Sequence, residues 1–311
     1  MALREKVTEA MLLHNPIPAD QVFDTKHPYH YKDCTDNVFG PMGDQVRQAY
    51  GNGSGGEMQV TEYSPAKMAN ISSSSAMTYN LLGNGPVEIV ENDHLSAGSY
   101  QLQYEKQMYT LNMGSKPANL DAFLSNGRER TAIFCEMKML EWLGTPGELK
   151  PSYRTDRYFF DKVSAYPVFA SLIQKIEAEK FECYDAWQMF KHLLAIYNYV
   201  SFTTQKAVEG FRGTHSMAGK FADITLLNVV NEFPGDRLKH DPEAQAAYLD
   251  ALKREQAEKE RFLSIVNCDD VTGLFRDHCN ATIRVHYLSA KDFAGCLKIT
   301  DAKRKYLERY F

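Results

Sequence analysis

The chain has 311 residues, 44% hydrophobic and 24% charged, with a formal net charge of −5. Such composition excludes a fibrous or disordered chain, and the acidic balance argues against a protein that coats nucleic acid without specificity. No apolar run approaches the roughly 20 residues of a membrane span.

The N-terminal stretch MALREKVTEAMLLHNPIP carries charges through its apolar positions and does not read as a signal peptide, so a cytoplasmic protein is expected. The region to about residue 65 is rich in His, Tyr, Asp and Gly and includes YGNGSGGEM. This glycine-rich piece follows no clear strand and reads as a surface loop, not a phosphate cradle. NISSSSAMTYNLLGNG then predicts a helix with serine caps, stopping at Gly83 or Gly85.

Three strands are expected next. YQLQYEKQMYTL alternates, with Leu102, Tyr104 and Met108 on one side and Gln103, Glu105 and Gln107 on the other. ANLDAFLS is short and ends at the turn signal NGR. RTAIFCEMK follows, apolar on both faces from Ala132 to Cys135, as a central strand should be.

The stretches Asp161 to Glu179 and Tyr184 to Val200 predict helices, the second with Trp187, Phe190, Leu194 and Tyr197 in one apolar stripe. ADITLLNVVNEF is a further β-branched strand. DPEAQAAYLDALKREQAEKERFLSIV predicts a long helix opened by Asp241 and Pro242, its charges forming a solvated face. ITDAKRKYLERYF predicts a short basic helix. The expected fold class is α/β, a mixed central β-sheet flanked by helices. An N-terminal extension over 1–65, a core over 66–235 and a C-terminal helical and strand addition over 236–311 divide the chain.

Glu136 and Lys138 close the third strand two residues apart, and therefore share a face, with Cys135 and Met137 opposite. Asp121 lies fifteen residues before Glu136, across one hairpin that can bring the two together. Glu105, on the polar side of the preceding strand, could join them. Converging carboxylates repel unless one protonates or a cation enters. Hard oxygen donors without nearby His or Cys favour Mg²⁺ or Mn²⁺, and a lysine beside them can hold water or an anionic phosphate. That is equipment for metal-assisted phosphodiester hydrolysis. A surface ion pair between Glu136 and Lys138 is the plainer alternative.

Six cysteines are scattered without a CxxC pair and are expected to be reduced, packed thiols. Cys135 would point into the core, which disfavours a Cys–His nucleophile. Arg128, Arg130, Lys150, Arg154 and Arg157 are candidates for holding a nucleic-acid backbone, against the alternative of a solvated surface.

LDAFL followed by FCEMK resembles the D…ExK signature of the PD-(D/E)xK nuclease superfamily. With SSSSAMTYNLLG, YEKQ, CEMKMLEW and WQMFKHLLAIYN, the stretch from about 70 to 232 is similar to a family of bacterial restriction endonucleases within it. The proline that names the motif is absent: NLD stands in place of PD.

The resemblance implies a restriction-endonuclease-like core with metal ligands at Asp121 and Glu136, Glu105 as the upstream acidic residue and Lys138 as the catalytic lysine. Gln188, four positions before His192, would be the polar helix residue that approaches the site; a structural place at the edge of a core helix is the alternative for both. Glu141 could take part or could pair with Lys138. The implied cofactor is Mg²⁺, with Mn²⁺ as substitute, and the implied partner is double-stranded DNA, with a homodimer left open and no membrane. An inactive nucleic-acid-binding or scaffolding relative, a repair or exonuclease activity, and a small-phosphate hydrolase are the rival readings.

Overall fold

The computed structural model describes residues 2–53, 56–113 and 116–311. Helices α1 (Leu3–His14), α2 (Asp44–Asn52) and α3 (Ser74–Leu82) precede strands β1 (Val87–Ile89), β2 (Gly98–Met108), β3 (Ala118–Asn126) and β4 (Thr131–Lys138). Then come α4 (Ala165–Glu179), α5 (Ala186–Val200), α6 (Gln205–Glu209), β5 (Asp223–Val230), α7 (Pro242–Val266), α8 (Asp269–Cys279), β6 (Thr282–Ser289), α9 (Ala290–Cys296) and α10 (Asp301–Leu307).

The six strands form one sheet in sequence order. β1 to β4 run antiparallel, whereas β4–β5 and β5–β6 are parallel. Short turns suffice for the meander, while the parallel pairs need the helical crossovers between β4 and β5 and between β5 and β6. The fold is α/β, a mixed sheet flanked by helices. Among the described residues no helix is long and apolar enough to cross a membrane.

Two apolar cores cover the two sheet faces. Ile133, Cys135, Met137, Leu227 and Val229 pack with α1, α2, α3, α9 and α10. Ala132, Phe134, Ile224 and Leu226 pack with α4, α5, α6 and α8. Adjacent residues of β4 and β5 thus enter opposite cores, the two-residue period of a strand buried on both sides.

Local chemistry sets the helix ends. Ser73 accepts from the Ala76 amide to open α3, and Gly83, at φ 72°, closes it. Asp241 accepts from the Ala244 amide to open α7, with Pro242 in its first turn. The helix expected from Asp161 starts at Ala165, because the Asp161 carboxylate ties down the Val163 and Ser164 amides in a turn before it. The glycine-rich piece is partly helical: Tyr50 to Asn52 end α2, with Tyr50 buried, and Ser54 and Gly55 lie outside the described residues.

Two expectations are corrected. Met108 does not share a face with Tyr104, since Tyr104 enters the core of α2 and α3 and Met108 the core of α5. β2 rolls over at Glu105, whose φ of 50° is left-handed. Nor are the charges of α7 all solvated: Glu255, Glu258 and Lys259 are buried. They continue the stripe of Tyr248, Ala251, Phe262 and Val266, where the helix passes from one core to the other.

Candidate active site

The polar cluster forms where β4 ends against α5. Glu136 and Lys138 share the α5 face, and Lys138 Nζ lies 2.8 Å from Glu136 Oε1. Gln188 spans the pair: its Nε2 donates to Glu136 Oε1 at 2.6 Å, and its Oε1 accepts from Lys138 Nζ at 2.6 Å. One turn further along α5, His192 Nε2 lies 3.0 Å from Glu136 Oε2, a close approach not aligned as a hydrogen bond. The Asp185 carboxylate accepts from the Gln188 amide at 3.0 Å, so the cap of α5 also positions Gln188.

Asp121 sits where the ladders around β3 open. β2 and β3 pair at Tyr104–Ala122 and again at Lys106–Leu120, skipping Glu105 and Asp121. β3 rolls over with β2: Ala122 enters one core and Leu120 the other. The β3–β4 ladder stops at Ala122–Cys135. Beyond it Asp121 Oδ2 accepts from the Met137 amide at 2.6 Å, a side chain standing in for a backbone acceptor. The expected hairpin therefore brings Asp121 to the end of β4 beside Glu136.

Glu105 lies on the α2 side of the pair, within the electrostatic field of Asp121 and Glu136. Its carboxylate lies against Gly53 after α2, where an added Cβ would be 2.8 Å from Oε2 and the Glu105 side chain would have to shift. Its electrostatic neighbours are Glu57 first, then Glu136.

The charges divide unevenly. Burial raises the Asp121 carboxyl well above its usual range, and neighbouring Glu136 pushes it the same way. Burial opposes ionisation of Glu136 too, but Lys138 and His192 outweigh it and hold this carboxyl low. Burial alone would lower Lys138; the Glu136 carboxylate reverses that and raises it. One proton on Asp121 and one charge on Glu136 is the state these fields favour. Burial pushes the Glu105 carboxyl up to about 7, with Glu57 and Glu136 adding to it.

Asp121 and Glu136 are the two carboxylates of the cluster, and Asp121 is held from ionising partly by its neighbour; contrary to the expectation of an all-oxygen surrounding, His192 stands beside Glu136. Among the described residues no three His, Cys, Asp or Glu are grouped to hold an ion. No family model, curated protein or solved structure matches the chain.

Asn228 and Glu141 complete the surroundings. Asn228, on β5 opposite Glu136, donates to the Glu136 carbonyl at 3.2 Å. Glu141 Oε2 accepts from the Met139 amide at 2.6 Å, turning the chain after β4. Asn228 escaped the sequence reading although a polar residue inside LLNVV was a usable signal. Cys135 lies in the opposite core, where burial raises its thiol, so no Cys–His pair forms with His192.

The basic candidates scatter. Arg154 pairs with Glu177, Arg128 lies exposed beside Glu129, Arg157 sits near the Tyr158 ring and Arg130 donates to the Gly219 carbonyl. Lys150 lines a pocket that reaches Gln188 and His192.

Proposed function

We propose that the chain is a metal-dependent nuclease with a restriction-endonuclease-like core, an endonuclease of the restriction type acting on double-stranded DNA. The observation that carries the reading is the meeting of Asp121, Glu136, Lys138 and Gln188 at one end of β3, β4 and α5. The antiparallel meander followed by parallel strands suits the same core, although fold likeness alone never fixes an activity. A cytoplasmic setting and a homodimer belong to this reading.

Asp121 and Glu136 would hold Mg²⁺ or Mn²⁺, which supplies Lewis-acid charge for a phosphate oxygen and acidifies bound water. The chain's own residues do the positioning. Of the three Lys138 donors, one reaches Glu136 and one Gln188, leaving another for a phosphate oxygen or the attacking water. Gln188 fixes the direction of that ammonium, and His192 holds Glu136 from behind. Glu105, lying toward α2, acts on the pair through its field rather than as a third ligand.

One observation favours a second reading, an inactive nucleic-acid-binding relative. Glu136 is already engaged by Lys138, Gln188 and His192, which is also how a purely structural cluster would look. Incubation with linear and circular DNA and with RNA, in Mg²⁺ or EDTA, separates the readings. Cleavage only with Mg²⁺ supports the nuclease, whereas binding without cleavage supports the relative. Hydrolysis of generic phosphoesters in place of DNA would point to a small-phosphate hydrolase.

A further inference from the structure

Beside the Glu136 cluster lies a pocket of about 390 Å³ between the start of β3, the loop before α4 and the first turns of α5. Its size falls in the roughly 300–1,000 Å³ range of small-ligand sites. Lys116, Lys150 and Lys191 line it, against the single carboxylate of Glu148. Among the described residues none of these lysines has an ion-pair partner. Thr110 and Tyr153, both buried and joined by a 2.6 Å hydrogen bond, also line it.

The wall toward the cluster is formed by Gln188 and His192. His192 is only 2% exposed, and its Nδ1 has no hydrogen-bond partner. Leaving a buried polar nitrogen unpaired is costly, so such an atom bordering a polar cavity points to a polar ligand group. The unpaired ammonium groups of the lining favour a negative charge on that ligand.

We propose that this pocket is a phosphoryl subsite: Lys116, Lys150 and Lys191 receive a phosphate group of the strand while the Glu136–Lys138 cluster faces a neighbouring linkage. The assignment to a strand rests on the nuclease reading; the anion site itself does not. Two sources share this chemistry, a terminal phosphomonoester and an internal phosphodiester.

The test titrates thymidine 5′-monophosphate and thymidine into the metal-free full chain at low salt, for wild type and for the Lys150→Ala/Lys191→Ala variant. The monophosphate should bind and thymidine should not, and the variant should bind about tenfold more weakly or worse. A melting temperature close to wild type for the variant, expected because neither lysine has an ion-pair partner, ties that loss to the pocket. Equal binding of both compounds, no binding of either, or equal monophosphate affinity in both proteins would overturn the subsite.

Cleavage assays then distinguish the sources. A preference for 5′-phosphorylated over 5′-hydroxyl linear DNA that vanishes in the variant assigns the pocket to a strand end. Equal loss on closed circular DNA assigns it to an internal linkage. Because the titration uses no metal and reads no cleavage, failure of the subsite and failure of the nuclease reading give different results.

Discussion

The Lys138 ammonium lies 2.8 Å from Glu136 Oε1, and the two side chains retain only 18% and 4% of their exposure. At that depth the pair is no ordinary surface bridge. Removing one partner of a buried pair leaves an uncompensated charge, which costs about 3–5 kcal/mol. Exposed pairs contribute about 0–1 kcal/mol. Lys138→Met should therefore destabilise by about 3 kcal/mol in urea unfolding, near the low end because Gln188 and His192 still contact Glu136. Adding Glu136→Gln should recover part of the loss, giving a coupling energy above about 1 kcal/mol in a double-mutant cycle. A coupling near zero would return the pair to the solvated-surface reading.

Gln188 touches both members of that pair, so its replacement should act on function more than on folding. Gln188→Ala removes two hydrogen bonds and is expected to cost about 1–2 kcal/mol while slowing DNA cleavage severely. Gln188→Glu would set a second carboxylate against Glu136 Oε1 and should be the less stable of the two variants. Thermal melts with single-turnover rates check both. A large stability loss in Gln188→Ala with a wild-type rate would make Gln188 purely structural.

A third prediction concerns how α5 is held. Glu258 of α7 is buried and accepts from the Glu182, Cys183 and Tyr184 amides at 3.0, 2.8 and 2.8 Å. Those amides lead directly into the Asp185 cap. Glu258→Ala strands three donors, and a loss of about 3 kcal/mol or more is expected in chemical denaturation. Stability within about 0.5 kcal/mol of wild type, the usual result for a neutral surface change, would contradict it.

The fourth prediction is a pH dependence. Burial raises the folded Glu105 carboxyl from 4.5 to about 7, so the folded chain holds this proton over a range where the unfolded chain has released it. The stability this group contributes is fully present below about 4.5 and is lost as pH rises through about 7. Unfolding of wild type and Glu105→Gln should diverge across that window, the variant gaining relative stability toward higher pH. Parallel curves would remove Glu105 from the buried field.

Much of the site was legible because it depends on the shortest period in the chain. The spacing of Glu136 and Lys138 places both toward α5, and Cys135 and Met137 enter the other core. Gln188 and His192, four apart, both meet Glu136 as residues on one helix flank should. Glu105 escaped for a definite reason. Its left-handed backbone rolls the strand over, and a glutamate gives no hint of that conformation, as Gly or Asn would. The buried charges of α7 were readable in retrospect. Glu255 and Lys259 stand at helical spacing inside an apolar stripe, but composition alone made them look solvated. β6 went unread although its signal was present, with Ile283 and Val285 alternating against Arg284 and His286.

The central claim is that Glu136 and Lys138 do different chemical jobs in one metal-dependent reaction. Single-turnover cleavage of duplex DNA, paired with calorimetric Mn²⁺ titration, tests this most directly. Wild type should cleave with Mg²⁺ or Mn²⁺ and stop with EDTA. Glu136→Gln should lose metal binding and cleavage together. Lys138→Ala should keep Mn²⁺ binding, or bind it more tightly once the neighbouring cation is gone, yet lose about 10²–10⁴-fold in rate. A Lys138→Ala protein that cleaves at the wild-type rate, or a wild-type protein that cleaves no DNA in either metal, would contradict the account.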